Sequence, residues 1–176
     1  MDEGARFDRA IAAIDAANAE SPTGVEGDHA VRVTDWVRRL RPDASEELLL
    51  AARGHHIRRW TSPRSSYPDG RSGYLRWRRD LHEIHARELG TILGAENYEP
   101  AVIERVQDIV RKKRLASDPE VQTLEDALCL VFIQTQYDEL AGRLDDEKMD
   151  SVVAKTLAKM SDEGRRLAGE LISSAG

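Results

Sequence analysis

The sequence has a single cysteine, Cys129, so no disulfide can form within the chain, and a reducing compartment is expected. No window approaches the roughly 18 consecutive apolar residues that a membrane span needs, so no membrane-crossing helix is expected. The first ten residues, MDEGARFDRA, are acidic and lack the basic region and apolar stretch of a secretion signal, which points to the cytoplasm. Aromatic residues are only 5% of the chain. No segment alternates apolar and polar residues with period two, so a sheet is not expected. Internal repeats and low-complexity tracts are absent as well.

What is present suits helices. The 176 residues are enough for one domain with a substantial core, 33% are charged, and Ala, Leu, Glu and Arg abound. Apolar residues recur at steps of three and four, which predicts an all-α fold of about eight helices in one domain, 1–176. The spacing places helices near 5–19, 28–40, 43–57 (with Asp43 or Ser45 as N-cap), 74–93, 100–113, 119–140, 147–160 and 163–172. Residues 28–133 would carry the site, and 145–173 the C-terminal helices. Those last helices, with Val152, Val153, Leu157 and Met160 on one side, could cap the core or pair with a second copy in a homodimer. TSPRSSYPDGRSG, at 61–73, is the one long irregular loop, a kind of segment that commonly carries function.

The formal net charge of −6 hides a division. Residues 53–79 hold eight arginines against one acid, Asp69, a local balance of +7 that leaves −13 for the rest. A basic island in an acidic chain points to a small anionic ligand, phosphorylated by preference because guanidinium groups bind phosphate bidentately; a general nucleic-acid binder would be basic over a wider area. Trp60, Tyr67, Tyr74 and Trp77 interleave with the arginines and could stack on a planar ring. Trp77 is also well placed as core. Arg76 and Arg79 are expected on a solvated face, and Lys112-Lys113-Arg114 at an exposed helix end that could lengthen the basic face.

Five ionisable side chains fall where helical spacing predicts burial. His29 shares a stripe with Val33, Trp36, Val37 and Leu40; His55 and His56 close the run AARGHHIRRW; His85 lies between Leu81 and Leu89; Asp126 sits in LEDALCLVFI, apolar almost all round. A carboxylate buried there costs several kcal/mol, of order 3–5, unless an arginine, a helix N-terminus or a metal answers it. Neutral imidazoles and one carboxylate converging from separate helices are what a divalent transition metal (Mn, Fe, Co or Zn) takes as ligands. His29, His55, His56 and Asp126 are the candidate set. HEIHA, at 82–86, spaces its histidines three apart and is not an HExxH zinc motif; its His82 falls on a flank of the apolar stripe.

The order His29, His55-His56, Asp126 resembles the HD superfamily of metal-dependent phosphohydrolases, with gaps close to those of its ppGpp-hydrolase branch. That resemblance implies a helical fold and a divalent metal held by a histidine, a His-Asp pair and a distant aspartate. Here the pair is His55-His56, which removes a negative charge and shifts preference from magnesium toward later metals. More broadly, the segments HIRRW-x₂-PR-x₂-YP, GY-x₂-WR and DPEVQTLED make nearly the whole chain resemble the family known as domain of unknown function 4202, which carries no activity to transfer.

The resulting expectation is a metal-dependent hydrolase of a small phosphorylated compound or nucleotide. His85, Arg58 and Arg59 are the expected catalytic groups, the histidine moving protons and the arginines stabilising phosphoryl charge. Arg64, Tyr67, Arg71, Tyr74 and Arg78 would bind substrate. Two alternatives stand beside it: an HD-fold iron-dependent oxygenase, and a non-catalytic module that binds a nucleotide or RNA.

Overall fold

The three-and-four spacing of apolar residues becomes eight α-helices and two 3₁₀ turns in the computed structural model, which describes residues 3–174. The helices are α1 (Glu3–Ala19), α2 (Val25–Leu40), α3 (Glu46–Gly54), α4 (Gly70–Ala95), α5 (Pro100–Val110), α6 (Pro119–Ala141), α7 (Asp146–Leu157) and α8 (Asp162–Ser174). No strand occurs among the described residues, so the fold is all-α. No described helix is long and apolar enough to cross a membrane.

The centre is α6. Val121, Leu124, Ala127, Leu130 and Val131 leave it buried on nearly every side, and α2, α3, α5, α7 and α8 all pack against it. Around it, α3 lies between α2 and α5, α4 runs along α5, and α1 covers α2, α3 and α4. Leu48, Leu50, Leu89, Leu93 and Ile109 fill the space between; truncating any one to alanine would cost about 2–5 kcal/mol.

Local chemistry sets the helix ends that matter for the site. Ser45 caps α3 by accepting from the Leu48 N–H at 3.1 Å. Sequence spacing extends this helix to Ile57, but it stops at Gly54, where the Leu89 side chain of α4 occupies the space a Cβ would need. Arg58 then takes a left-handed backbone, φ 50°, and turns the chain. His55 and His56 therefore sit in the turn after α3. The helix α4 begins at Gly70 (φ 86°), earlier than the expected Tyr74, so the irregular loop is shorter and contains the 3₁₀ turns Arg59–Thr61 and Arg64–Ser66. Lys112 and Arg114, both left-handed (φ 57° and 58°), end α5 at Val110 instead of Lys113.

Candidate functional site

The five histidines of the chain come from three places, α2 (His29), the turn after α3 (His55, His56) and α4 (His82, His85), and they meet. His29 stacks on His56 with ring centroids 4.1 Å apart and planes 11° from parallel. His56 lies 4.6 Å from His55 and 5.9 Å from His85, while His55 is 6.3 Å from His85 and 6.4 Å from His82. His29, His55 and His56 line a cavity of about 430 Å³, with His82 and His85 beside them.

Burial is the largest influence on every ring, and it lowers each pKa. His29, His82 and His85 are pushed to about 4, with Arg59 further lowering His29. His55 and His56 are also held well below the usual value, burial first and neighbouring positive groups second. All five are therefore neutral at pH about 7, each with one N–H and one unprotonated ring nitrogen. The Nδ1–H of His85 donates to the Ile57 carbonyl at 2.8 Å, which leaves its Nε2 bare. That Nε2 is buried without a partner, as are His29 Nε2 and His55 Nδ1. An orphaned buried polar atom costs about 1–3 kcal/mol, so three of them in one cluster mark a place where a partner belongs.

Positive charge surrounds the imidazoles. Arg59, Arg78, Lys112, Lys155 and Lys159 line the cavity, and Glu125 is the one acid among its described lining residues. Arg59 donates to His56 Nε2 at 3.1 Å and lies over the Trp77 ring, 5.1 Å from its centroid. Burial lowers the Arg59 pKa, and Arg78 adds to the effect; the group stays a cation because its ordinary value is so high. Glu125, 4% exposed, is ion-paired to Lys112 and stands 4.0 Å from the Cys129 thiol. Burial, with Glu125 second, pushes that thiol up to about 12, so Cys129 is an inert small hydrophobe. Leu128, Val131, Phe132 and Val152 supply the apolar part of the wall.

Residues 8–175 match the family described as Domain of unknown function (DUF4202). The chain belongs to that family. No curated protein matches it, and no solved structure does.

In this DUF4202 chain the expected site residues divide. The structure brings together His29, His55, His56 and His85, and it places Arg59, Tyr74 and Arg78 on the same cavity. It places Asp126 elsewhere. That carboxylate accepts from the Ser161 N–H and hydroxyl and from Gln122, and it packs against Gly164 in the first turn of α8. A helix N-terminus answers the buried charge, and the carboxylate lining the cavity is the adjacent Glu125. Arg58 is likewise turned away by its left-handed backbone and pairs with Glu20 and Glu88. Arg64 donates to the Tyr67 carbonyl at 3.0 Å and so ties the loop, and neither it nor Tyr67 lines the cavity. Arg71 opens on a separate hollow along α4. Trp77 is core, with its indole N–H on the Ser62 carbonyl at 2.9 Å.

Lys112, expected at an exposed helix end, is instead mostly covered, paired with Glu125 and on the cavity wall; Glu125, Lys155 and Lys159 were not anticipated. Only the last two left a signal: Val152, Lys155, Thr156 and Lys159 follow a three-and-four spacing that places them on one helical row.

Proposed function

We propose that the protein is a metal-dependent hydrolase of a small phosphorylated compound, with nucleotides as the leading class. The observation that carries the reading is the coincidence, at one cavity, of neutral imidazoles with orphaned buried nitrogens and of five cationic side chains. Among the described residues, no group of three or more His, Cys, Asp or Glu side chains is placed to hold a metal ion in this conformation. The donor set nonetheless fits a later divalent metal in chemistry. His29, His55 and His85 offer bare or unpartnered nitrogens, and His85 is oriented through its other nitrogen by a backbone carbonyl, as metal-binding histidines usually are. These three would hold the ion, with Glu125 as the nearby carboxylate.

When bound, a divalent ion would supply Lewis acidity for polarising a phosphoryl oxygen and activating water. Arg59 is already fixed by His56 and Trp77, so it offers a preorganised guanidinium to phosphoryl oxygens; Arg78 lies beside it and Lys155 and Lys159 stand at the rim. Lys112 is ion-paired with Glu125. His85, 1% exposed and fixed on Ile57, suits a ligand better than a proton carrier. The half-buried His82 takes over that second role. From the HD-like pattern this reading keeps His29 of α2 and His55 of the turn after α3, leaves His56 to Arg59, adds His85, and replaces the distant aspartate with Glu125.

The test is metal analysis of purified protein followed by phosphate-release assays on nucleotides and sugar phosphates with Mn, Co, Zn or Fe. About one ion per chain and release that disappears in His55→Ala are expected. Stoichiometric iron with oxygen consumption and no phosphate release would instead establish the oxygenase. Phosphate-ester binding unchanged in His55→Ala and indifferent to metals would establish a binding module.

A further inference from the structure

Two basic features share α4. On the cavity side stand Tyr74 and Arg78; on the outer side Arg71, Leu75, Arg76 and Arg79 line an open hollow. Steps of three and four make Arg71, Tyr74, Leu75, Arg78 and Arg79 surface neighbours, so the two faces adjoin. Arg76 and Arg79 share one carboxylate, Asp80, at 3.9 and 3.1 Å, and both remain largely exposed. Arg71 forms no ion pair with an acid among the described residues. Between the arginines, Tyr74 and Leu75 are 43% and 54% exposed.

We propose that this face of α4 is a track for a single-stranded nucleic acid whose end enters the cavity, so that the phosphorylated ligand of the proposed function is the terminus of a strand. The inference rests on that function's phosphate-binding cavity. Charge complementarity selects the occupant: excess guanidinium groups beside an exposed ring and an apolar side chain are what a strand needs for its phosphates and bases. Length agrees. Arg71 to Arg79 spans about 12 Å at 1.5 Å per residue, more than one phosphate group requires. The track leads from open solvent toward Arg78, which also lines the cavity and donates to the Tyr74 hydroxyl at 3.4 Å.

The experiment compares a nucleoside monophosphate with 5′-phosphorylated RNA and DNA strands of about ten nucleotides, within the range of single-strand site sizes. Vesicles of anionic phospholipid form a third arm. The strands are expected to bind at least about tenfold more tightly than the mononucleotide at low salt. Arg76→Gln/Arg79→Gln should remove most of that advantage and reduce the salt slope by about 1.4, near 0.7 per lost phosphate contact. Its circular dichroism and mononucleotide hydrolysis should match the parent. Equal affinity for strand and mononucleotide overturns the track but leaves a mononucleotide hydrolase standing. Vesicle binding without strand binding also overturns it. Strand binding without phosphate release from any substrate keeps the track and overturns the hydrolase.

Discussion

Ser161 is bound to Asp126 twice, its backbone N–H donating to one carboxylate oxygen at 2.9 Å and its hydroxyl donating to the other at 2.5 Å. The Ser161 hydroxyl oxygen in turn accepts from the Gly164 N–H at 3.1 Å, so the buried charge of α6 and the first turn of α8 hold each other. Asp126→Ala is expected to lower unfolding free energy by about 1–3 kcal/mol, read by chemical denaturation, with metal content per folded chain unchanged. Loss of metal at unchanged stability would return Asp126 to the site.

Glu125→Gln should behave in the opposite way. The change keeps the volume but removes the one acid among the cavity's described lining residues, leaving Lys112 without its counter-charge. Phosphate release should fall by about 10²-fold or more, while far-ultraviolet circular dichroism still shows the helical fold. Full turnover in the variant would exclude Glu125 from the chemistry.

Adjacent arginines should separate. Arg59→Lys loses the planar fork that reaches the cavity and should raise KM for a phosphorylated substrate by about tenfold. Arg58→Lys alters a half-exposed pairing with Glu20 and Glu88, and should change stability by about 1 kcal/mol at most and leave KM alone. Steady-state kinetics of the pair decides the assignment.

Gly54→Ala tests the link between core and site. The new methyl would meet the Leu89 side chain, with an overpacking cost of about 1–3 kcal/mol. The strain falls one residue before His55, so thermal stability and metal affinity should drop together. An added methyl with no effect on either would mean that α3 and α4 separate there freely.

Acid dependence should show at Asp118, which caps α6 and pairs with Arg105. The Arg105 hydrogen bonds hold its carboxyl at about 2, below the ordinary 3.8. A folded-state value below the unfolded one means the stabilisation is complete above 3.8 and fades as pH falls toward about 2. The stability gap between the parent and Asp118→Asn, about 2 kcal/mol at most, should be constant near neutrality and shrink only below about pH 4.

How much of this was legible differs by residue. The histidines on α2 and α4 sit on apolar stripes whose phase the sequence reports, and the structure brings them together with His55 and His56. On α6 the phase was lost, because a helix apolar nearly all round gives no sign of which side faces a cavity. Glu125 and Asp126 are about 100° apart on that helix, and both are almost fully buried. Arg58 and Arg59 were equally indistinguishable, since a single left-handed residue sends one outward and the other inward.

The sequence by itself determined the helical class and where a basic, histidine-bearing segment begins, because three-and-four periodicity and charge are local properties of the chain. Which side chains share the cavity was decided only in three dimensions. That choice depends on how α6 is rotated within its neighbours, on the close Leu89 contact that only a glycine admits at the end of α3, and on α7 and the turn after it, closed at Ser161, which bring Lys155 and Lys159 to the cavity. Each depends on packing between residues far apart in the chain.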